Sequence, residues 1–93
     1  MTFIIDKKTY DTDKAELVLE YYESYPMALM PTLRIEKITK LFRTTKGNWF
    51  SVRKGDYDRY YAEKQTSENV QNIFSRKGKI ELYNKYFDAL EEA

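Results

Sequence analysis

The chain contains no cysteine and no histidine among its 93 residues. Without cysteine it forms no disulfide and offers no thiolate ligand to a metal ion. Without histidine it lacks the side chain that most often acts as a general base or binds a transition metal. We therefore predict no catalytic residue, no metal site and no cofactor, and we expect the protein to act by binding something larger through its surface.

Long apolar runs are missing as well. The opening residues, MTFIID, lack the basic segment and the apolar run of a secretory signal peptide, and no apolar stretch approaches the roughly 18 residues that cross a bilayer. A chain of 93 residues has the size of one small domain. We expect one soluble intracellular domain that spans residues 1–93 and has no membrane partner.

Tyrosines and an uneven distribution of charge characterise what is present. Each of the nine tyrosines brings a large ring and a hydroxyl that needs a polar partner, so many are expected at the edges of the core. The net charge is only +1, yet residues 34–64 hold nine basic and four acidic side chains, whereas residues 1–33 hold three basic and six acidic ones. The middle of the chain is therefore the part that would attract an anionic partner.

Residue periodicity in the first quarter of the chain predicts a strand and a helix. Residues 2–5, TFII, are typical of a short strand with the polar exit DKKTY. Residues 13–24 carry apolar side chains at helical spacing, and Asp13 and Glu16 have the spacing of a capping box. The pattern predicts an amphipathic helix over residues 13–24.

Residues 33–54 include β-branched and aromatic side chains, and this composition predicts a central hairpin. Thr45-Lys46-Gly47 has the composition of a three-residue turn in which Gly47 takes the left-handed position. Such a turn places Phe42 opposite Phe50 and Arg43 opposite Trp49, with Phe42, Phe50 and Val52 facing the core. A two-residue loop would change every pair. A break in the alternation between Ile35 and Ile38 predicts a bulge or a bend.

The last third of the chain leaves two interpretations open. Residues 79–83 alternate as a strand, and residues 84–92 follow helical spacing with Asn84 as the cap; one helix over residues 79–92 is the alternative. The preceding polar stretch predicts a loop with one helical turn near residues 57–63. The whole pattern predicts an α+β fold, in which a small antiparallel sheet is covered on one face by helices at residues 13–24 and 84–92.

The central hairpin is the first candidate for a partner-binding surface. The segment KLFRTTKGNWFSVRKG, residues 40–55, holds five basic residues, three large aromatics including Trp49 and no acid. Basic side chains interleaved with aromatic ones suit nucleic acid or an anionic protein surface. The alternative is a solvated strand whose charges only prevent aggregation. The candidate residues are Lys40, Arg43, Lys46, Trp49, Arg53 and Lys54.

Acidic residues offer only weak candidates for chemistry. Asp11, Asp13 and Glu16 contain oxygen ligands for a hard cation but lack the glycine-turned loop of a calcium motif, and helix capping explains them. Asp56 and Asp58 have no third acid or phosphate-gripping loop nearby and are typical of a turn. We therefore predict no metal site in the first place and no catalytic carboxylate pair in the second.

The order of motifs in the chain resembles a group of small proteins carried by phages and mobile elements of Gram-positive bacteria. The resemblance rests on two segments, YDTDKAELVLEY at residues 10–21 and KLFRTTKGNWF at residues 40–50. The later segments YYAEK and KIEL match the group more loosely. The chain departs from the group after Phe50, where a basic and aromatic segment replaces a glycine-rich loop.

This resemblance implies a function that the residues alone do not reveal. Phage proteins of this size commonly block a host machine, as anti-CRISPR proteins do, so the expected activity is non-enzymatic inhibition of a type II RNA-guided nuclease in the bacterial cytoplasm. The expected partner is the nuclease or its complex with guide RNA. The basic hairpin is the first candidate contact, and the acidic face of the predicted helix, Glu16, Glu20 and Glu23, is the second. The alternative function is a nucleic-acid-binding accessory or regulatory protein of a mobile element that uses the basic hairpin.

Overall fold

Six antiparallel strands and two helices make up the computed structural model, which describes residues 1–93 except for the side chain of Asp56. The strands form a two-stranded sheet and a four-stranded sheet of order β3-β4-β5-β6. The predicted α+β class is therefore confirmed. The elements are β1 (Thr2–Ile5), β2 (Lys8–Asp11), β3 (Glu16–Pro26), β4 (Arg34–Arg43), β5 (Trp49–Lys54), a 3-10 turn (Asp56–Asp58), β6 (Tyr60–Gln65), α1 (Ser67–Arg76) and α2 (Ile80–Tyr86).

The N-terminal hairpin joins β1 to β2 through a two-residue turn. Ile5 pairs with Lys8, which leaves Asp6 and Lys7 as the turn, and both adopt positive φ angles of 51° and 64°. Left-handed angles at both central residues are those of a turn whose twist matches the strands that it joins. The strand predicted at residues 2–5 is confirmed, and its polar exit is a second strand.

The central hairpin has the predicted register. The Thr44 N–H donates to the Asn48 carbonyl at 2.8 Å, and Gly47 has a φ of 86°. Phe42 pairs with Phe50, and Arg43 pairs with Trp49. Local sequence determined this turn because Gly47 takes the left-handed position at no steric cost.

The helix predicted over residues 13–24 is wrong, because this segment forms most of β3. The register of β3 against β4 shifts between Leu17 and Leu19, which leaves Val18 as an extra residue. Such a bulge resets the strand alternation, so that apolar residues recur at intervals of three and four, as they do in a helix. The bulge predicted between Ile35 and Ile38 is absent from the described pairing, since both residues pair regularly with β3.

The residues interpreted as a capping box form a turn before β3. The Asp11 carboxylate accepts a hydrogen bond from the Asp13 N–H at 2.9 Å, and the Ala15 N–H donates to the Asp11 carbonyl at 3.1 Å. A side chain that accepts from the backbone two residues later stabilises a turn as readily as a helix start.

The C-terminal third contains two helices where a loop and a strand were predicted. Thr66 caps the start of α1, since its hydroxyl accepts a hydrogen bond from the Asn69 N–H at 3.1 Å. The helix ends before Gly78, which has a φ of 66°. The predictions of a strand at 79–83 and a helix at 84–92 are wrong, because α2 spans Ile80–Tyr86. This span agrees better with the alternative prediction of one helix that starts at residue 79. The turn predicted near 57–63 is only the 3-10 turn, and β6 follows it. Neither α1 nor α2 is long and apolar enough to cross a bilayer.

The four-stranded sheet has a core on each of its two faces. The β1–β2 hairpin covers the face that we call the hairpin face, where Phe42, Phe50 and Val52 pack with Tyr10, as predicted for the first three. The helices α1 and α2 cover the opposite face, called the helix face, where Val70, Ile73 and Phe74 of α1 pack on Tyr21, Leu41 and Trp49. Both helices therefore lie on one face of the sheet, although the helix predicted at residues 13–24 is a strand and α1 covers the sheet in its place. The residues that pack beneath the helices come from three neighbouring strands.

The distal half of the β3–β4 hairpin extends beyond the rest of the sheet. The strand β5 pairs with β4 only from Thr39 to Arg43, so residues 34–38 have a partner on one side alone. We call residues 22–38 the arm and residues 27–33 its tip. The radius of gyration, 14.3 Å, exceeds the roughly 12 Å expected for a compact chain of this length. The longest extent of the molecule is 44 Å and the shortest is 19 Å.

Candidate functional site

The six residues of the basic hairpin do not share one surface. Strand alternation and the register place Lys40 and Lys54 on the hairpin face and Arg43 and Arg53 on the helix face. Lys46 lies in the turn between β4 and β5. The charges that are close together in sequence are therefore divided between two sides of the sheet.

Trp49 is a core residue of the helix face. It is 5% exposed, and its ring contacts Phe74, Tyr86 and Phe87 with centroid separations of 6.3, 5.2 and 6.1 Å. The predicted contact between Arg43 and Trp49 exists, with the guanidinium carbon 5.6 Å from the ring centroid. A partner on this surface would therefore meet the helices around Trp49 and not its ring.

Two other charges of the hairpin are engaged within the molecule. Arg53 forms a 2.6 Å ion pair with Glu63, and its guanidinium carbon lies 4.1 Å from the centroid of the Tyr25 ring. Lys54 forms a 2.9 Å ion pair with Asp58, and this contact raises the pKa of Lys54 and lowers that of Asp58. Both pairs are solvent-exposed at one partner or more, so they contribute little to stability.

The three glutamates predicted to form one acidic face are separated by the strand geometry. Glu16 accepts a 2.5 Å hydrogen bond from the Tyr86 hydroxyl on the helix face, and Glu23 pairs with Arg76 of α1 at 3.0 Å. The hydrogen bond from Arg76 holds the pKa of Glu23 below its usual value. Glu20 projects on the opposite face, where it pairs across the strands with Lys40. The predicted acidic helix face does not exist, because the segment is a strand.

The acidic residues near the N-terminus serve the turn before β3. The N-terminal ammonium lies 3.2 Å from Asp13 and 3.9 Å from Asp11. Among the residues whose side chains are described, no group of three acidic residues is arranged to hold a metal ion. The helix cap predicted at Asp11 and Asp13 is wrong, because these residues stabilise a turn before β3. The side chain of Asp56 lies outside the described ones.

The tip of the arm is the most conspicuous exposed apolar surface of the molecule. Residues 26–33, PMALMPTL, contain no charged side chain. Leu29 is 95% exposed, and Met27, Met30 and Leu33 are each at least 37% exposed. Hydrogen bonds from the Met27 N–H to the Leu33 carbonyl and from the Leu33 N–H to the Met30 carbonyl close the loop. A closed loop that directs apolar side chains into water has the character of a contact surface.

The base of the arm is braced against the helix face. The Tyr25 hydroxyl lies 2.8 Å from the hydroxyl of Thr39, which is fully buried, and Arg53 covers the Tyr25 ring. On the other side of the arm, Arg34 donates to the Ser24 hydroxyl and carbonyl at 2.7 and 2.8 Å. These contacts hold the two strands together where no third strand supports them.

A cleft of about 210 Å³ lies between the arm and the β5–β6 connection. Pro26, Met27 and Ile35 line its arm side, and Arg53 and Tyr61 line the other. The cleft adjoins the tip, so a partner that binds the tip can place a side chain beside it. We take the tip and this cleft together as the candidate functional site.

Two further concavities lie outside this site. A polar groove of about 280 Å³ separates α1 from the sheet, and Asn69, Asn72 and Arg76 form one wall. Its floor includes Tyr21, whose pKa is raised by burial. A larger cleft of about 720 Å³ lies between the N-terminal hairpin and the β4–β5 turn.

Sequence reasoning passed over the tip, although a signal was present. The predictions from sequence name no residue of the segment MALM between Pro26 and Pro31. An uncharged run of ten residues, 24–33, is unusual in a chain that is 33% charged, and two prolines argue for an ordered loop. What the sequence could not show is that β5 ends before the arm does, so that nothing covers the run.

Comparisons with known proteins place no constraint on this site. The resemblance to phage and mobile-element proteins rests on the sequence motifs and stays a prediction. No protein-family profile, no curated protein and no solved structure matches the chain.

Proposed function

We propose that the protein is a non-enzymatic inhibitor that binds a larger host protein by inserting the tip of the arm into an apolar groove of that protein. The observation that carries the proposal is the 95% exposure of Leu29 in an uncharged loop held away from both cores. An apolar loop exposed in this way adds nothing to the stability of the fold. Exposing these apolar side chains to water costs free energy, and a partner that covers the loop would remove this cost.

The energetics favour a contact larger than the tip alone. Burying what is exposed of Leu29 and the two neighbouring methionines contributes on the order of 3–6 kcal/mol. Association costs about 4–15 kcal/mol in lost rigid-body freedom. A stable complex therefore needs the adjoining cleft as well as the tip. Pro26 and Pro31 reduce the entropy that is lost when the loop binds, because they restrict its unbound conformations.

The charges that flank the tip favour a protein partner over a membrane. Glu23, Arg34, Glu36 and Lys37 stand within the arm and alternate in sign. Loops that insert into bilayers are typically flanked by lysine and arginine, which anionic lipids attract. A rim of both signs around an apolar centre is instead the usual composition of a protein interface.

The partner class that we propose is a type II RNA-guided nuclease of the host bacterium. The resemblance to proteins of phages and mobile elements supports this choice, and the small size of the chain agrees with it. An inhibitor of this kind can occupy the surface that reads the protospacer-adjacent motif or the channel that holds the guide duplex. Because Glu16, Glu20 and Glu23 do not share a face, we assign the contact to the arm and not to acidic mimicry of DNA.

The experiment is a cleavage assay with purified type II nucleases loaded with guide RNA. We expect the wild-type protein to bind at least one nuclease and slow cleavage of its target, and Leu29→Asp to weaken inhibition by about tenfold or more, since it removes a buried contact and adds a charge that must lose its water. Ile80→Asp is the matched control, because Ile80 is also apolar and 62% exposed but lies at the start of α2. It should inhibit like the wild type.

Three results would contradict the proposal in different ways. If no nuclease binds or slows, the partner class is wrong. If Leu29→Asp inhibits as well as the wild type, the arm is not the contact. If the wild type binds neutral or anionic lipid vesicles and Leu29→Asp does not, the tip recognises a membrane.

The alternative function, nucleic-acid binding through the basic hairpin, receives less support from the arrangement of its residues. Trp49 is buried, and Arg53 and Lys54 are paired with acids. The double substitution Arg43→Glu with Arg53→Glu is also a poor test of it, because both arginines pack against aromatic rings. Loss of function in that variant would not be distinguishable from loss of the fold.

A further inference from the structure

The cleft between the N-terminal hairpin and the β4–β5 turn is strongly basic. It has a volume of about 720 Å³ and is the largest of the three concavities described above. Four lysines and one aspartate are the charged residues of its lining. We call it the lysine cleft, after Lys7, Lys8, Lys14 and Lys46.

Three lysines outside the cleft form ion pairs, whereas the four lysines of the cleft have no ion-pair partner within the described side chains. Lys54, Lys64 and Lys85 each lie within 4 Å of a carboxylate. The four cleft lysines form no such pair, and all are exposed. The one acid of the lining, Asp11, is partly neutralised, because its carboxylate accepts from the Asp13 N–H and lies 3.9 Å from the N-terminal ammonium. The positive charge of the cleft is therefore available to a ligand.

The uncharged groups of the cleft suit the oxygen atoms of a phosphate and offer no stacking surface to a base. Threonine hydroxyls and the Asn48 amide supply hydrogen-bond donors beside the lysines. No arginine is among the lining residues, so an anion would be held there by the point charges of lysine and not by a bidentate guanidinium. Tyr10 is the one aromatic residue of the lining, and at 3% exposure it offers no ring face on which a base could stack.

Backbone strain at the edge of the cleft supports a role for Lys7. Lys7 is the second residue of the β1–β2 turn, with a φ of 64°, where glycine is the favoured residue. A non-glycine residue in the left-handed region destabilises the fold, and such residues concentrate at functional sites. The turn therefore keeps a lysine at a position where glycine would be more stable.

We propose that the lysine cleft binds the phosphodiester backbone of single-stranded nucleic acid, independently of its sequence. Lysines neutralise successive phosphates, and the hydroxyls and the amide donate to phosphate oxygens. Contacts to phosphate without base stacking give weak and salt-sensitive binding, with dissociation constants on the order of 10⁻⁴–10⁻⁶ M. The site is distinct from the arm and does not depend on the inhibitor function proposed above.

The experiment measures fluorescence anisotropy of labelled oligo(dT) and oligo(U) of about 20 nucleotides as the salt concentration is varied. For four lysine contacts to a single strand, we expect a slope of log affinity against log salt near −3. Lys7→Gln with Lys46→Gln should halve the slope and reduce affinity by about tenfold or more near 50 mM salt. The matched control is Lys77→Gln with Lys79→Gln, which removes the same charge from the α1–α2 connection and should keep the slope of the wild type.

A second variant separates binding from folding. Lys7→Gly should raise the melting temperature by a few degrees, since it relieves the left-handed strain, and at the same time lower the affinity for the oligonucleotide. A protein that is more stable but binds less tightly cannot owe its loss of binding to unfolding. Unchanged affinity in Lys7→Gly would overturn the assignment of Lys7 to the site.

Competition identifies the ligand chemistry. We expect unlabelled oligonucleotide to displace the probe, and inorganic phosphate at millimolar concentration and poly-glutamate to leave it bound. Full displacement by inorganic phosphate would show a site for free phosphate, and displacement by poly-glutamate would show a site for acidic protein; either result overturns the proposal. No binding at low salt, or an equal loss in both double variants, also overturns it, and Leu29→Asp should have no effect on any of these measurements.

Discussion

Arg43 illustrates how a charged side chain can serve the core. Its guanidinium carbon lies 5.6 Å from the centroid of the Trp49 ring and 5.3 Å from that of Tyr86, so the group lies against two aromatic faces. Its Nε is buried and has no hydrogen-bond partner within the described part of the molecule. An unpaired buried donor costs about 1–3 kcal/mol, and contacts of the cation with the rings contribute about 0.5–2 kcal/mol. The cost of the unpaired donor and the gain from the cation–ring contacts nearly cancel. The packing of the aliphatic stem of Arg43 is therefore as important for stability as its charge.

Substitutions at Arg43 separate these effects. We expect Arg43→Met to change the free energy of unfolding by less than about 1 kcal/mol, because methionine keeps the stem and removes the unpaired donor. Arg43→Glu should destabilise by about 2 kcal/mol or more, since it places a carboxylate against two ring faces and directly opposite Glu16. Urea unfolding followed by circular dichroism measures both. An equal loss in the two variants would mean that the positive charge itself is needed.

At the scale of the elements, an ion pair fastens α1 to β3. Arg76, in the last turn of α1, lies 3.0 Å from the Glu23 carboxylate of β3. Because Arg76 donates to the carboxylate, the pKa of Glu23 is lowered in the folded state. A lowered pKa means that the folded state binds this proton less readily than the unfolded chain does. The pair therefore stabilises the fold above the unfolded pKa of Glu23, near 4.5, and this stabilisation is lost as the pH falls through the folded value.

The pH dependence of a single variant tests this contact. We expect Glu23→Gln to reduce the free energy of unfolding by about 0.5–1 kcal/mol at pH 7, which is the usual range for a pair that is partly exposed. The difference from the wild type should shrink as the pH falls below about 4.5 and disappear once the carboxyl is protonated in both states. Glu20→Gln is the control, because Glu20 is exposed and lies on the other face. A Glu23→Gln deficit that is the same at every pH would point to lost packing in place of lost charge.

At the scale of the whole molecule, stability is concentrated where the sheet has a core on both faces. Leu41, Phe50 and Val70 are completely buried around β4 and β5. The arm lies outside both cores and has one pair of strands, exposed apolar side chains and a loop at its end. Segments with few buried contacts open locally at a lower free energy than the whole molecule. The part proposed to bind a partner is therefore also the least stable part of the sheet.

Native-state hydrogen exchange should show this gradient. We expect the backbone amides of the arm, residues 22–38, to exchange about 100-fold or more faster than those of Leu41 and Ser51, because arm opening leaves both cores intact. On binding its partner, the arm should become protected while the core amides change little. Uniform exchange rates across β4 would show that the arm and the cores unfold as one unit.

Several elements could be predicted from sequence because neighbouring residues alone decide them. Gly47 and its three-residue turn set the register of β4 against β5, and the register then placed Phe42 and Phe50 on one face. The start of α1 could also have been predicted, since Thr66 is a good cap and Val70, Ile73 and Phe74 have helical spacing. The polar residues around them concealed that signal. The α+β class required only that hairpin and helical patterns coexist.

The sequence by itself determined the central hairpin, the composition of the tip and the absence of imidazole and thiol groups. Tertiary structure alone decided that β3 is a strand, because a bulge at Val18 gives a strand the periodicity of a helix and only pairing with β4 resolves the ambiguity. It also decided that the tip is exposed, because β5 ends before the arm does. The lysine cleft was invisible for the same reason: Lys7, Lys8 and Lys14 belong to the acid-rich first third of the chain, and only packing of the N-terminal hairpin on the sheet brings them beside Lys46.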